Sequence, residues 1–343
     1  MKTIHSDDHR LHHAAGEFIF GEFRPAFEKP ERVELVIERI AEVGLGEVIQ
    51  PVKYPDAKIT AVHDAGLVAF LESCHREWIA AGRKGDANPF SFRARRFRDD
   101  RIPSHVDGKL AHYAFDQGVP ITATSWTAIR TGVDVALTGA DLVLKGDRYA
   151  FSLCRPPGHH AGKDYYGGYC YLNNAAIAAQ HCLDSGAKRV AILDVDYHHG
   201  NGTQDIFYDR SDVLFASLHG DPETEYPFLL GWADEQGVGA GEGFNANYPL
   251  PWGSDYSSWG PAHDDACRRI EAFRPDIVIV SLGVDTFKDD PISKFKLTNE
   301  DYLKMGQRIA QIGRPALFVM EGGYAVADIG INAVNVLQGC QNA

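Results

Sequence analysis

No stretch of the chain is apolar for long enough to cross a bilayer: runs such as Ile277-Val278-Ile279-Val280 end within a few residues, whereas a spanning helix takes about 20. A leader's hydrophobic segment is also missing, because Met1-Lys2-Thr3-Ile4-His5-Ser6-Asp7-Asp8 turns acidic where that segment would begin, and the expectation is a soluble cytoplasmic protein. Cysteine is scarce, six in 343 residues with no C-x-x-C pair, which excludes a disulfide framework and predicts buried, reduced thiols. Positive charge is in deficit: 34 Lys and Arg face 47 Asp and Glu, a net charge of −13. That sign argues against duplex nucleic acid or an anionic membrane as the main partner and points to small cationic ligands. With no internal repeat, proline-rich linker or low-complexity tract to mark a boundary, residues 1–343 read as a single domain.

From about residue 145 onward, short β-branched runs alternate with amphipathic stretches, the pattern of a parallel α/β sheet. Strands are predicted over 149–153, 190–195, 213–218, 277–282 and 316–320; several are apolar on successive residues, as expected where helices cover both sheet faces. Crossover helices are predicted over 175–183, ending at Ser185-Gly186, and over 261–273, ending before Arg274-Pro275. Earlier in the chain, residues 31–43 carry Val33, Val36, Ile37 and Ile40 at helical spacing behind Pro30, and residues 126–144 read as a further helix. Residues 82–104 differ from the rest: Arg83, Lys84, Arg93, Arg95, Arg96, Arg98 and Arg101 interleave with Phe90, Phe92 and Phe97. Arginines among aromatics suit RNA in isolation. In so acidic a chain the stretch reads instead as a solvated loop, or as one that docks on another subunit or over a site mouth.

Polar residues and glycines follow each strong strand. Residues 190–193 run into Asp194-Val195-Asp196-Tyr197-His198-His199-Gly200-Asn201-Gly202, 277–282 into Gly283-Val284-Asp285, and 316–320 into Glu321-Gly322-Gly323-Tyr324. Open α/β sheets build their sites at these carboxyl ends, so one crevice can collect them all. Asp194, Asp196 and His198 alternate along an extended segment and leave it on one face. Two carboxylates and an imidazole, with Asp285 from another strand end, suit a divalent cation with positions left open for water and substrate. Arg155-Pro156-Pro157-Gly158-His159-His160-Ala161 mounts two near-neutral bases on a rigid backbone, which reads as acid/base machinery. Gly167-Gly168-Tyr169-Cys170-Tyr171-Leu172-Asn173-Asn174 supplies close backbone approach, an aromatic wall and a polar helix start. Tyr324, behind two glycines, can donate a hydrogen bond to a developing oxyanion.

Together, R-P-P-G-H-H-A at 155–161, G-G-Y-C-Y-L-N-N at 167–174, D-V-D-Y-H-H-G-N-G at 194–202, S-L-H at 217–219, L-G-V-D-T-F at 282–287 and E-G-G-Y at 321–324 resemble the histone deacetylase superfamily. Within it the chain is most similar to the bacterial acetylpolyamine amidohydrolases, partly through the insertion at 82–104. The resemblance implies an arginase/deacetylase-like α/β fold, a mostly parallel sheet flanked by helices on both faces. It further implies one zinc per subunit, with ferrous iron as the alternative, held by Asp196, His198 and Asp285. His160 would serve as general base and then as acid for the leaving amine, His159 would stabilise charge beside it, and Tyr324 would help polarise the acetyl carbonyl. One or two structural potassium ions are implied as well. The first would use the Asp194 carboxylate, main-chain oxygens of Asp196, His198 and Leu218, and the Ser217 hydroxyl; the second would lie near Phe207, Arg210, Val213 and Phe244. Where some members carry an acidic residue, this chain has Asn201, which orients the second histidine without raising its basicity.

By the same resemblance Tyr169 and Tyr226 would sandwich an acetylated aminoalkyl chain, with the Gly168 carbonyl nearby and Ile292 on the floor. Acidic rim candidates for a distal ammonium are Glu17, beside Phe18 and Phe20, and Asp107 and Asp116, with Asp107 favoured. The implied activity is zinc-dependent hydrolysis of the acetyl amide of small N-acetylated polyamines. Protein acetyl-lysine deacetylation is the alternative; a noncatalytic relative and a two-metal ureohydrolase fit less well. The arginine-rich insertion is expected to dock on a second identical subunit, making a homodimer whose mouth favours slender substrates.

Overall fold

A computed structural model describes residues 1–19, 21–94 and 96–343; Phe20 and Arg95 lie outside the described residues. In chain order the described elements are β1 (Lys2–Ile4), β2 (Glu17–Ile19), β3 (Glu22–Arg24), α1 (Glu31–Val43), β4 (Val48–Ile49), α2 (Ala57–Thr60), α3 (Ala65–Ala80), α4 (Val106–Tyr113) and α5 (Ser125–Leu144). They continue with β5 (Tyr149–Ser152), α6 (Asn174–Asp184), β6 (Val190–Asp194), α7 (Asn201–Phe207), β7 (Val213–Gly220), β8 (Asn245–Leu250), α8 (Tyr256–Phe273), β9 (Ile277–Leu282), α9 (Asn299–Gln311), β10 (Ala316–Met320) and α10 (Ile329–Gln341). All five predicted strands form, within one or two residues of their expected ends.

Eight strands make one sheet in the order β4-β1-β5-β10-β9-β6-β7-β8, and every neighbouring pair is parallel. Their carboxyl ends therefore share one edge, and the four strands that run into the polar motifs, β5, β10, β9 and β6, are adjacent in its middle. Alternating side chains of these strands enter two cores. Phe151, Leu193, Val280 and Phe318 face one, with Val36 and Ile40 of α1, Ile270 of α8, Ile309 of α9 and Val336 of α10. Ala150, Ile192, Ile279 and Leu317 face the other, with Ala136 and Ala140 of α5 and Ala175, Ala176, Ala178 and Ala179 of α6. Burial on both faces explains why these strands read as unbroken apolar runs. A third core, built from Leu67, Phe70 and Leu71 of α3, Leu110 of α4 and Ile129, Val133 and Leu137 of α5, carries the segments between them.

Helix α1 spans its predicted residues and stops at Gly44, whose φ of 61° suits glycine at a helix end. Helix α8 begins earlier than Pro261 suggested: the Asp255 carboxylate caps it by accepting from Ser257 N, and Pro261 lies inside. Residues 82–104 hold no helix or longer strand among the described residues, only an isolated bridge from Ala87 to Ile121. All six cysteines are buried and unpaired, and no described helix is long and apolar enough to cross a membrane.

Candidate active site

The carboxyl ends of β6 and β9 bring Asp196, His198 and Asp285 together, buried, with one ligand atom from each within 4.8 Å of the others. His198 Nδ1 lies 3.1 Å from Asp285 Oδ2 and 3.4 Å from Asp196 Oδ1. Backbone N–H groups hold the carboxylates: Tyr197 donates to Asp285 Oδ1 at 2.7 Å and Gly322 donates to Asp196 Oδ2 at 2.8 Å. A Cβ at Gly283 or Gly322 would sit 2.0 or 2.6 Å from Asp196 Oδ2, so both positions require glycine. Burial and the Asp196 charge push Asp285 up to about 7. Burial opposes ionisation of Asp196 too, but His159 and His198 outweigh it and hold that carboxyl low. Two desolvated carboxylates facing one imidazole form a set that a divalent cation satisfies better than a shared proton does, and their types match zinc or ferrous iron.

His159 and His160 follow β5. His159 Nδ1 lies 2.9 Å from Asp194 Oδ2; burial works against its charge, but Asp196 and Asp194 prevail and raise it to about 10, so it is an imidazolium. His160 Nδ1 is 2.7 Å from Asn201 Oδ1, which can only accept, so the proton sits on Nδ1 and Nε2 is the basic nitrogen. Asn201 Nδ2 in turn donates to His160 O at 3.3 Å, which fixes the amide's orientation. Burial, then the charges of His159 and His198, hold His160 well below its ordinary pKa, and the ring is neutral. Tyr324 is buried, which keeps its phenol protonated; its ring lies 4.8 Å from the Arg32 guanidinium carbon and 5.6 Å from the Tyr169 ring.

His159, His160, His198 and Tyr324 line a cavity of about 570 Å³ together with Gly168, Tyr169, Tyr226, Ile292, Glu17 and Asp116. Gly168 has a φ of 57° and leaves no room for a side chain, since a Cβ would meet His160 Cδ2 at 2.4 Å. The Tyr226 ring stands 5.2 Å from His160, edge to face. Asp116, offered by the sequence as a rim charge, instead lies half-buried in the wall, where its Oδ2 accepts from Tyr226 OH at 2.5 Å and Gly168 N at 2.9 Å. Glu17 is also buried, only 1% exposed, on β2, with Oε1 accepting from Phe27 N at 2.9 Å; it is a wall residue rather than a rim residue. Asp107 does not line this cavity. It starts α4 and pairs with Arg83 of the same chain, so within one chain its charge is already matched. Of the basic insertion, Phe92 reaches the cavity, while Phe90 and Phe97 are each 63% exposed. The expected contributions of Phe20 and Arg95 lie outside the described residues.

For the implied potassium sites, Asp194 and Ser217 stand side by side on β6 and β7, both buried beside Leu218. Ser217 Oγ is 2.8 Å from His219 Nδ1. In the second region the Phe244 carbonyl already accepts from Phe215 N, and Arg210 pairs with Asp212.

Several positioning residues escaped the sequence analysis. Glu321 Oε2 accepts from Gly158 N at 2.6 Å and His159 N at 3.1 Å, tying the loop after β10 to the loop after β5. Asp290 Oδ2 accepts from Tyr324 N at 2.7 Å and Ala325 N at 3.2 Å. Arg32, on α1, donates to the carbonyls of Gly323 and Glu321, each at 2.6 Å, and to Glu28 at 2.9 Å; Glu28 also accepts from Arg155 at 2.7 Å. Glu321 had a signal, as the first letter of E-G-G-Y. Arg32 could have been suspected because it stands four residues before Val36, on the buried face of α1.

A parallel sheet whose central strand ends meet in a buried His/Asp metal group, a histidine pair and a tyrosine defines a metal-dependent hydrolase of the arginase/deacetylase fold. The chain belongs to the histone deacetylase family: the histone deacetylase domain matches residues 26–340. It is 58% identical to acetylpolyamine amidohydrolase 2 of Pseudomonas aeruginosa, over 99% of this chain and 98% of that protein. It is 52% identical to the acetylpolyamine amidohydrolase of Mycoplana ramosa, over 99% of each. The crystal structure of acetylpolyamine aminohydrolase from Burkholderia pseudomallei superposes with a TM-score of 0.94 at 39% identity, covering 99% of this chain and 98% of that one.

Proposed function

We propose that the chain hydrolyses the acetyl amide of small N-acetylated diamines and polyamines, releasing acetate and the free amine, with zinc held by Asp196, His198 and Asp285. The observation that carries this reading is a neutral His160, with Nε2 as its basic nitrogen, in the same cavity wall as His198 of the His/Asp group and the Tyr324 phenol. When bound, the ion supplies Lewis-acid polarisation of the acetyl carbonyl and lowers the pKa of water. His160 Nε2 takes the proton of the attacking water and later returns it to the amine nitrogen. Tyr324 O–H donates to the oxygen that becomes negative, and the His159 imidazolium, anchored by Asp194, adds a fixed positive charge. Tyr169 and Tyr226 bound a slot for the aliphatic chain, and the carboxylates of the buried Glu17 and half-buried Asp116 favour an ammonium beyond it. The relatives' names point to the same substrates.

A potassium ion at Asp194, Ser217 and Leu218 belongs to this proposal. So does a homodimer formed through residues 82–104, which the exposed Phe90 and Phe97 rings support. The buried, unpaired thiols favour the cytoplasm. Turnover of acetylputrescine, acetylcadaverine, acetylspermidine and an acetyl-lysine peptide by purified protein tests the substrate assignment. The acetylated diamines and polyamines are expected to exceed the peptide in kcat/KM. Faster turnover of the peptide would make the chain a protein deacetylase, and Asp285→Ala with full activity after chelation would remove the metal assignment.

A further inference from the structure

A second group of metal-ligating side chains lies outside the cavity. Strand β1 ends at Ile4 on the same carboxyl edge of the sheet, and the chain then turns through a 3₁₀ helix, Asp7–Leu11, begun by Ser6, whose hydroxyl accepts from Asp8 N at 3.3 Å. This compact turn gathers His5, Asp7 and His9, with one ligand atom from each within 4.8 Å of the others. The His5 and His9 rings are 5.2 Å apart, and His5 Nε2 is 3.6 Å from Asp7 Oδ1, too far for a hydrogen bond.

His9 is only 4% exposed, and among the described residues neither of its ring nitrogens has a hydrogen-bond partner; the same holds for His5 Nδ1. A buried imidazole with both nitrogens unmatched has lost the hydrogen bonds it would make to water, and coordination removes that cost. Arg10 stands 3.6 Å from Asp7, yet its own charge is taken up by Glu34 at 2.9 Å. Asp7 is exposed, which gives an ion a way in.

We propose that His5, Asp7 and His9 form a second transition-metal site, taking a borderline divalent cation such as zinc through two imidazoles and one carboxylate, with its remaining positions open to water. The His9 carbonyl accepts from Arg155 Nη1 at 2.5 Å, at the head of the loop that carries His159 and His160, so an ion here braces the N-terminal turn against that loop.

Equilibrium dialysis of the full chain against zinc alone, followed by metal analysis, tests the site. Wild type is expected to hold one ion per chain more than His5→Gln or Asp7→Asn, whether or not the cavity is filled. Asp7 is exposed, so Asp7→Asn leaves the packing intact, and circular dichroism reports whether both variants stay folded. A repeat in the Asp285→Ala background is expected to give the same difference of one ion, which separates this site from the cavity's. Equal zinc content in wild type and either folded variant would overturn the proposal.

Discussion

Tyr324 contributes a single hydroxyl to a cavity already furnished with histidines and carboxylates. Its ring is fixed independently of that hydroxyl: Arg32 lies over it, Tyr169 beside it, and Asp290 holds its backbone. Tyr324→Phe therefore leaves the wall in place and removes one donor that matters most as the carbonyl oxygen becomes negative. Turnover is expected to fall about 10²-fold or more, with metal content unchanged and KM changed little. Steady-state kinetics beside metal analysis makes the comparison; undiminished kcat would assign oxyanion stabilisation to another donor, with His159 next in line. The same scale shows why the chemistry was legible and its supports were not. Asp196, His198 and Asp285 sit in motifs with recognisable spacing, whereas Arg32 reaches Gly323 across 291 positions, a contact no local pattern encodes.

Helix α1 is the element that carries this long-range support. Its apolar stripe of Val33, Val36 and Ile40 was readable and buries it against the sheet core, but the same face also delivers the guanidinium of Arg32 to the loop after β10. Arg32→Met keeps the length and apolar stem while leaving the Glu321 and Gly323 carbonyls without their donor and Glu28 with Arg155 alone. The expected cost is about 3–5 kcal/mol in chemical denaturation, because a buried ion network loses one partner. A fall in kcat larger than the rise in KM should accompany it, as Tyr324 loses its anchor. A loss below about 1 kcal/mol would mean that Asp290 suffices to hold the loop. Elements differed in legibility for physical reasons. The central strands, covered on both faces, are long apolar runs, but β1 and β4 are three and two residues long and carry no period. Helix α9 did advertise itself, with Thr298 and Asp301 forming a reciprocal cap, and that signal went unread. Helix α4 had no such advertisement: it follows Pro103 closely and contains Gly108, a poor helix former.

For the whole molecule, stability towards acid is set partly by histidines buried in neutral form. His63 shows the effect most cleanly because it lies apart from the proposed metal ligands. Its Nδ1–H donates to the Gly162 carbonyl at 2.8 Å, and its Nε2 accepts from Asn173 N at 2.9 Å, so a second proton has no place without breaking the latter bond. Burial pushes its pKa from 6.5 down to about 4, against the smaller opposing pull of the Gly162 carbonyl. Below pH 6.5 the unfolded chain binds a proton that the folded chain refuses, so stability is complete above that pH and falls as the pH drops. The slope contributed by this ring approaches 1.4 kcal/mol per pH unit, and the loss levels off near pH 4 at about 3 kcal/mol. Glutamine can copy both hydrogen bonds, its amide nitrogen donating to Gly162 and its oxygen accepting from Asn173, and it does not titrate. His63→Gln is therefore expected to be less stable than wild type at pH 7.5, where packing around a smaller side chain is imperfect, and to lose stability more slowly on acidification, so that the gap narrows by about 3 kcal/mol between pH 7 and pH 4. Urea unfolding at half-unit pH intervals measures both slopes, and parallel curves for the two proteins would show that His63 titrates alike in the folded and unfolded chain.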